Sequence, residues 1–488
     1  RLAARTAADY REAARLLEES GRSDMVPRWE ALLQAAIAYY QGGSFADAIR
    51  LLRPATQEER QDFRAWYLLG VALSLVADDP SRRGSNPLAD LDEAIAALTE
   101  ALRYDDRSHS IWGNRGNAYR RRALYAISHG GDPLPDLARA MEDLSRAVAI
   151  APESSPGWNN RGSLLMSLAQ YKTSTGKDPS VELENAIDDF SRACRLRAED
   201  FIILTNRGDA RLEKARFKVS RGQDPLPDMT AAHEDYQSAL KVNGEHVTAW
   251  SGEGMLFRAR ADYTLSRGGD PTSDLDQAIA CFARAIAGNP AHAPLRNNRG
   301  AAHWLRAQYA LMTDGDPSAA IAAAIADFSK SLELDGNNAK TLGNLGSLHA
   351  MQARIAITSG ADPSEALEAA IDDFTRALAI NDRSALFWSN RGSTRWMTAR
   401  YKRGRGEDAT EELAQAEADL NRSVSLNPSS AETYFNRGLL YLLWEKWPEA
   451  VDDFERAIKA NPSFAARCAP HLRECRQRLH NDNAEKSY

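Results

Sequence analysis

Six arginines and six aspartates of this 488-residue chain recur at matching places and could form bidentate ion pairs. Arg115, Arg161, Arg207, Arg299, Arg391 and Arg437 are answered in order by Asp143, Asp189, Asp235, Asp327, Asp419 and Asp453. The two columns change together. Where the first holds Leu69, Glu253 or Ala35, the second holds Ala97, Cys281 or Leu51. Leu345 with Asp373 breaks the rule. Pairing each Arg with the preceding Asp fits worse, because Arg115 would face Ala97 and Arg299 would face Cys281. Such pairs read as structural, not catalytic. Desolvation offsets most of their attraction, but orphaning one partner costs about 3–5 kcal/mol where burial is deep.

A third column could bind a ligand. Asparagine stands at Asn114, Asn160, Asn206, Asn298, Asn344, Asn390 and Asn436, interrupted by Leu68 and Gly252. Asparagine is a poor residue for a helix interior. Its amide supplies both a donor and an acceptor, which matches a peptide backbone and reads no side chain. Inheritance by duplication explains the column equally well. Trp66, Trp112, Trp158, Trp250 and Trp388, two positions earlier, read as core packing.

All these columns are set by one period. Gly70, Gly116, Gly162, Gly208, Gly254, Gly300, Gly346, Gly392 and Gly438 are separated by 46 residues each. Alanine recurs seven residues later, from Ala77 through Ala399. A second glycine follows at Gly84, Gly130, Gly176, Gly222, Gly268, Gly360 and Gly406, displaced by one to Gly315 in one unit. Then comes Asp-Pro, beginning at Asp132, Asp178, Asp224, Asp270, Asp316 and Asp362, with Asn86-Pro87 and Asp408-Ala409 as variants. Glycine ends a helix in a left-handed turn, Asp caps the next, and proline suits its first position. Each unit is therefore expected to hold a helix A of about twenty residues and a helix B of about eighteen. The aromatics Tyr125, Tyr171, Phe217, Tyr263, Tyr309 and Tyr401 on A, and Phe190, Tyr236, Phe282, Phe328 and Phe374 on B, fill the space between them. No strand pattern competes, and the fold class is all-α, an α-solenoid.

Charge is sorted by helix. The helix A windows of the eight long units sum to +22 and the helix B windows to −23. Helix dipoles explain the bases late in A and the acids early in B. They do not reach Arg120, Arg211, Arg258, Arg306 and Arg395, which sit nearer mid-helix. An electropositive A-helix wall is expected, one that favours Asp, Glu or phosphorylated segments by charge-assisted hydrogen bonds.

The segment Glu432-Thr-Tyr-Phe-Asn-Arg-Gly-Leu-Leu-Tyr, followed by Ala450-Val-Asp-Asp-Phe-Glu-Arg-Ala and Asn461-Pro462, resembles a standard 34-residue tetratricopeptide repeat. Trp29 to Asp62 resembles the same repeat, with Ala36, Tyr39 and Ala48 in register. The eight central units resemble it with twelve extra residues between the Gly and Ala landmarks, lengthening both helices. The resemblance implies a right-handed superhelix of about ten helix-turn-helix repeats, with A helices on the concave face. It also implies that the asparagine column faces bound peptide, and in one glycosyltransferase subfamily such a column forms a ladder. The carboxylate clamp of some members is not carried over, since only Lys340 falls at one of its columns. The expected organisation is a capping helix and loop over 1–28, a short repeat over 29–62, extended repeats over 63–430, a standard repeat over 431–465, and a capping helix and tail over 466–488.

Other chemistries find little support. No Gly-rich loop with Lys-Ser/Thr is present, and Gly252-Glu253-Gly254 lacks the third glycine of a dinucleotide motif. His303 with His349, and His246 with His292, fall in repeat columns, and no Cys-x-x-Cys or His-Glu-x-x-His supports zinc. No cofactor or metal is expected. Cys194, Cys281, Cys468 and Cys475 make no disulfide framework, which points to a reducing, cytoplasmic setting. A net charge of −7 argues against a surface built for nucleic acid or anionic membrane, and no apolar run is long enough to span a bilayer. RNA binding would need stacking aromatics on the A-helix face. The chain opens at Arg1 with no initiator Met, so a piece of a longer protein is expected. The function expected is a non-catalytic scaffold, not an enzyme, that grips an extended, acidic protein or peptide. The alternative is the regulatory segment of a larger enzyme, such as a bacterial protein kinase or a caspase-like protease.

Overall fold

The structure, a computed structural model, describes residues 7–20, 28–58, 62–77 and 86–485. Among the described residues there are twenty-two α-helices, one short 3-10 turn and no strand. Helix α1 (Ala7–Ser20) precedes the pairs α2 (Arg28–Gln41) with α3 (Phe45–Glu58) and α4 (Phe63–Ala77) with α5 (Leu88–Tyr104). The long pairs follow: α6 (His109–Ser128) with α7 (Leu134–Ile150), α8 (Ser155–Ser174) with α9 (Ser180–Leu196), and α10 (Phe201–Ser220) with α11 (Leu226–Val242). Next come α12 (Val247–Ser266) with α13 (Thr272–Gly288), α14 (Ala293–Met312) with α15 (Ser318–Leu334), and α16 (Ala339–Ser359) with α17 (Ser364–Ile380). The last are α18 (Ala385–Gly404) with α19 (Thr410–Leu426), α20 (Ala431–Leu443) with α21 (Trp447–Ala460), and a closing α22 (Ala465–Glu485). Even-numbered helices from α2 to α20 are the A helices, and α2, α4, α6, α8, α10, α14, α16, α18 and α20 each pack most closely on the B helix that follows. The architecture is an α-solenoid. It forms two compact units, residues 1–252 and 253–488. In the first, α2, α4, α6, α8 and α10 stack as successive A helices; in the second, α14, α16, α18 and α20 do so.

The landmark glycine is where A and B cross. A Cβ on Gly162 would fall 2.8 Å from Phe190 Cε1, and one on Gly300 would fall 2.8 Å from Phe328 Cε1. Phe190, Phe282, Phe328 and Phe374 are no more than 1% exposed, so the ring takes the space a side chain on A would need. The A-helix aromatics instead lie half-buried late in their helices, where bases stack on them. Arg221 lies 5.3 Å from the Phe217 ring and Arg267 lies 5.2 Å from that of Tyr263.

The turn and cap chemistry follows the punctuation with two adjustments. Gly130, Gly176, Gly222, Gly268, Gly360 and Gly406 have φ between 68° and 75°, the left-handed closure a glycine permits. Gly84 lies outside the described residues. In the displaced unit the left-handed place does not move to Gly315: Asp314 holds it with φ 54°, and Gly315 N–H still donates to Ala310 O at 2.7 Å. Asp has a short polar side chain and tolerates this conformation better than most. At the next helix, hydrogen bonding begins one residue after the expected start. Asp132 Oδ1 accepts the Leu134 N–H at 3.0 Å, while Pro133 already has helical dihedrals of −85° and −14°. Asp178, Asp224, Asp270, Asp316 and Asp362 accept in the same way.

Beside each crossing a carboxylate is buried. Arg115, Arg161, Arg207, Arg299, Arg391 and Arg437 approach Asp143, Asp189, Asp235, Asp327, Asp419 and Asp453 at 2.8, 2.7, 2.5, 2.6, 2.7 and 2.7 Å. The six aspartates are no more than 4% exposed. Burial pushes the Asp143 carboxyl up, and the Arg115 guanidinium opposes that rise. The guanidinium also reaches the preceding helix B: Arg115 Nη1 donates to Thr99 Oγ1 at 3.1 Å and Arg391 Nη1 to Thr375 Oγ1 at 3.1 Å. Its flat face is covered by the aromatic three residues before it, with Arg115, Arg161 and Arg391 at 4.9, 4.8 and 4.8 Å from the rings of Trp112, Trp158 and Trp388. Those indoles do more than pack. Their N–H groups donate to the loop carbonyls of Asp106, Pro152 and Asp382 at 2.8, 2.7 and 2.7 Å, fixing the entry to helix A. The exceptional Asp373 is served from one turn later, by His349 Nδ1 at 2.9 Å.

One crossing differs. Tyr236 replaces phenylalanine, and its hydroxyl donates to Asp209 Oδ1 at 2.6 Å. The ring lies under two glycines: a Cβ on Gly208 would come within 2.8 Å of Tyr236 Cε1, and one on Gly252 within 2.5 Å. Any side chain at position 252 would collide with this ring, which is why the asparagine column breaks there. Burial pushes the Asp209 carboxyl up to about 6, opposed by the Tyr236 hydrogen bond, with Glu213 raising it and Arg216 lowering it further.

Two outcomes test this packing. Asp143→Ala should cost about 3–5 kcal/mol in urea unfolding followed on α6 and α7, because Arg115 is orphaned. The double variant Arg115→Leu with Asp143→Ala carries the combination native at Leu69 and Ala97 and should recover most of that loss. Asp209 binds its proton more tightly folded than unfolded, so its contribution to stability is present below its unfolded pKa and lost as pH rises through about 6. Asp209→Asn keeps an acceptor for Tyr236. The variant should therefore melt higher than the parent at pH 7.5, by a margin on the order of 1–3 kcal/mol that vanishes near pH 4.

Candidate functional site

The A helices present two kinds of polar side chain, and the structure divides both into spent and open. Asn114 Nδ2 donates to Tyr67 Oη at 3.2 Å, Asn206 Nδ2 to Asn159 Oδ1 at 2.9 Å, and Asn344 Nδ2 to Asn297 Oδ1 at 3.0 Å. Each reaches from one A helix to the A helix before it. Asn390 Nδ2 approaches Ser347 Oγ at 3.5 Å, at the limit of a hydrogen bond. The column is thus not a run of seven open amides. In these four units the amide stitches neighbouring A helices, because the stacking that buries the core also brings their side chains within reach. Asn160, Asn298 and Asn436 are half-buried and make no side-chain hydrogen bond among the described residues.

The bases are also largely spent. Arg211 Nη1 sits 2.8 Å from Asp235 Oδ2, and Arg395 Nη1 sits 2.6 Å from Asp419 Oδ2. Both join the buried carboxylates of their own pairs. Arg306 pairs with Asp276 on the preceding helix B. Arg120 and Arg258 lie half-buried four residues after their glycines. Further along the A helices, Lys172 binds Glu182 at 2.7 Å, Arg260 binds Asp274 at 2.5 Å and Lys402 binds Glu412 at 2.5 Å. Arg122 bridges Asp92 and Asp136 at 2.5 and 2.6 Å. The opposite charges of A and B are therefore mostly two halves of one set of inter-helix ion pairs. The basic surface left for a ligand is much smaller than the charge count implies, and Arg211, Arg306 and Arg395 are not free to serve it.

Polar groups of several kinds converge in the second unit. A cavity of about 300 Å³ lies over α12, α14 and α16. Arg258 and Asp262 line it from the first helix, Asn298, Trp304 and Gln308 from the second, and Lys340 and Asn344 from the third. The Trp304 indole N–H is buried without an acceptor. Sequence reasoning named Asn298, Asn344 and Arg258 but not Trp304, Asp262 or Gln308, which belong to no repeating column of one residue type. The first unit has a smaller cavity of about 250 Å³ among α8, α9 and α10, with Met166, Leu183 and Phe217 in its mostly apolar lining. Among the described residues, no group of three or more His, Cys, Asp or Glu could hold a metal ion. No described helix is long and apolar enough to cross a membrane.

Residues 431–464 match a family model described as tetratricopeptide repeat, and residues 33–74 and 88–155 match a second model of the same description. No curated protein matches the sequence. Among solved structures, the chain is similar to the Cut9–Hcn1 hetero-tetramer of the APC/C at 15% identity, covering 96% of this chain and 93% of that one with a TM-score of 0.44. It is similar to human IFIT1, solved as a dimer with m7Gppp-AAAA, at 15% identity over 93% and 94% of the two chains with a TM-score of 0.38. It is also similar to a tetratricopeptide repeat protein from Parabacteroides merdae, at 17% identity over 75% of this chain and 98% of that one with a TM-score of 0.37. The matched segments lie near both ends of the chain, with helix pairs on the same landmarks between them, and these segments are tetratricopeptide repeats.

Proposed function

We propose that the chain is a non-catalytic scaffold that binds an extended polypeptide on its A helices, with acidic residues preferred where A-helix cations remain available. Proteins built from this repeat bind other proteins, and that much follows from the family. The observation that carries the finer reading is the split within one column: Asn160, Asn298 and Asn436 are half-buried amides with no partner, at the register where their equivalents reach a neighbouring helix. None of their amide atoms is buried, so solvent or a ligand can reach each of them. Each can give one donor and one acceptor to a passing peptide unit. Asn160 belongs to the first unit and the other two to the second, so each unit offers its own contact. Acid preference is supported by Arg296 and Arg354, A-helix arginines without an ion pair among the described residues.

The experiment compares the two classes of asparagine on arrays of acidic, neutral and basic fifteen-residue peptides. The variant Asn160→Ala/Asn298→Ala/Asn436→Ala should weaken the acidic binders about ten- to a hundredfold, from hydrogen bonds of about 0.5–1.5 kcal/mol each, with melting unchanged. The variant Asn114→Ala/Asn206→Ala/Asn344→Ala should instead melt several degrees lower. Undiminished binding by the first triple would end the proposal.

A further inference from the structure

Where the arginine and aspartate columns are both vacated, a space opens behind them. Leu69 on α4 and Ala97 on α5 stand in place of the arginine and its aspartate, and together they are smaller than the pair they replace. In the repeat before, Ala35 is matched by the larger Leu51, which is 3% exposed and restores volume. Ala97 makes no such compensation. A cavity of about 370 Å³ lies there, bounded by Trp66 and Leu69 of α4, Ala96 and Ala97 of α5, and Pro54 and Thr56 of α3. The ion pair has moved outward. Arg53 Nε and Nη2 donate to Glu93 Oε1 and Oε2 at 2.8 and 2.7 Å, tying α3 to α5. Their side chains are 55% and 37% exposed, against 16% and 4% for Arg115 and Asp143. The pair therefore crosses the outer side of the cavity, while Leu69 and Ala97 lie buried within it.

We infer that this cavity is a binding site for a small, neutral aromatic compound. The intact pairs show what the space is shaped to hold. There a flat guanidinium lies against the aromatic three residues before it, as Arg115 lies 4.9 Å from the Trp112 ring, and Trp66 holds the place of Trp112. A planar ring in the guanidinium's position gains from packing against Trp66 as well as from burial. The occupant is uncharged because Ala97 removes the inner carboxylate and Glu93 is engaged by Arg53. A cation would lack a counter-charge, and an anion would lose its water against Leu69, Ala96 and Ala97. Thr56 adds no free donor, since its Oγ1 donates to the Arg53 carbonyl at 2.8 Å. The Arg53–Glu93 pair does not have to open, for a paired guanidinium still offers its face to a ring, as Arg115 does. Apolar cavities hold water poorly, and about 150 Å³ suffices to take up benzene. The 370 Å³ here exceeds that and falls in the range of small-molecule sites, about 300–1,000 Å³. This site is independent of the polypeptide-binding reading, because it uses neither the asparagine column nor the A-helix cations.

The test uses the full chain with p-cresol, its saturated counterpart 4-methylcyclohexanol, and a Gly-Ser nonapeptide carrying one central Tyr. The readout is the Trp66 indole ¹H–¹⁵N resonance, assigned by its loss in Trp66→Phe. The cresol should move this resonance with half-saturation about two- to tenfold below that of the saturated alcohol, the margin of an aromatic pair. It should also bind more tightly than the peptide. Leu69→Arg with Ala97→Asp installs the pair native to the next repeat and should abolish the response. Ala97→Leu, which fills the cavity with one side chain, makes the same test should the double variant not fold. The inference is overturned if p-cresol leaves the resonance fixed up to its solubility limit, or acts undiminished on the filled variants. Equal binding of the saturated alcohol would also overturn it. Tighter binding of the tyrosine peptide would do the same, assigning the cavity to a partner protein instead.

Discussion

The rest of each repeat depends on a buried carboxylate placed beside a helix crossing too close for a side chain. The crossing needs glycine on helix A because a ring or a leucine from helix B fills the gap. The aspartate one residue before that ring, as Asp189 precedes Phe190, is therefore carried into the core. It cannot stay there alone. The arginine immediately before the glycine reaches it with two nitrogens, as Arg161 does to Asp189 at 2.7 and 2.8 Å. Packing by alanine and leucine tolerates a slip of one helix along the other. A buried carboxylate does not, because one register alone supplies its donors. The pair thus adds register more than net energy.

That constraint propagates outward. The arginine's flat face needs cover, and an aromatic one turn earlier gives it; the indole N–H then ties the loop before helix A. The guanidinium of Arg115 or Arg391 touches the preceding helix B through Thr99 or Thr375, so in those units the pair is braced against its neighbour by the group that holds its own halves together. Where the arginine is lost, the structure answers locally. His349 stands in for the missing base at Leu345, because its place three residues after the glycine faces the same carboxylate that Arg211 and Arg395 share in their own units.

Repetition made much of this legible in the sequence. A landmark seen nine times reveals its partner by covariation within one chain, and the Arg and Asp columns could be matched without coordinates. The helix boundaries followed from Gly and Asp-Pro for the same reason. What the sequence did not reveal are the features that occur once. Asp314 keeps the left-handed turn in place, so counting glycines misplaced it by one residue. Tyr236, Asp209 and Gly252 are three single departures on three helices, and only their contact shows that they form one substitution. Charge misled for a different reason. A count by helix cannot tell a surface field from two halves of an ion pair, and here most of the separation is the latter.

The asparagine column shows how one position takes two environments. Stacking of A helices brings each amide within reach of the residue one place earlier on the preceding helix, and whether it bonds depends on what stands there. Tyr67, Asn159 and Asn297 offer an oxygen, and the amides opposite them are spent. Gly113, opposite Asn160, offers no side chain, and Asn160 stays open. The neighbour's residue type accounts for Asn160 but not for Asn436, which stays open opposite the hydroxyl of Ser389. The lengthened helices add a second row, four and eight residues past the glycine, that short repeats cannot build fully. In the first unit Met166 and Gln170 occupy this row at an apolar cavity; in the second, Arg258 with Asp262 and Trp304 with Gln308 occupy it at a polar one. One backbone frame, held by the same crossings, thus carries cavities of different chemistry, and the residues that distinguish them are the ones the repeat does not constrain.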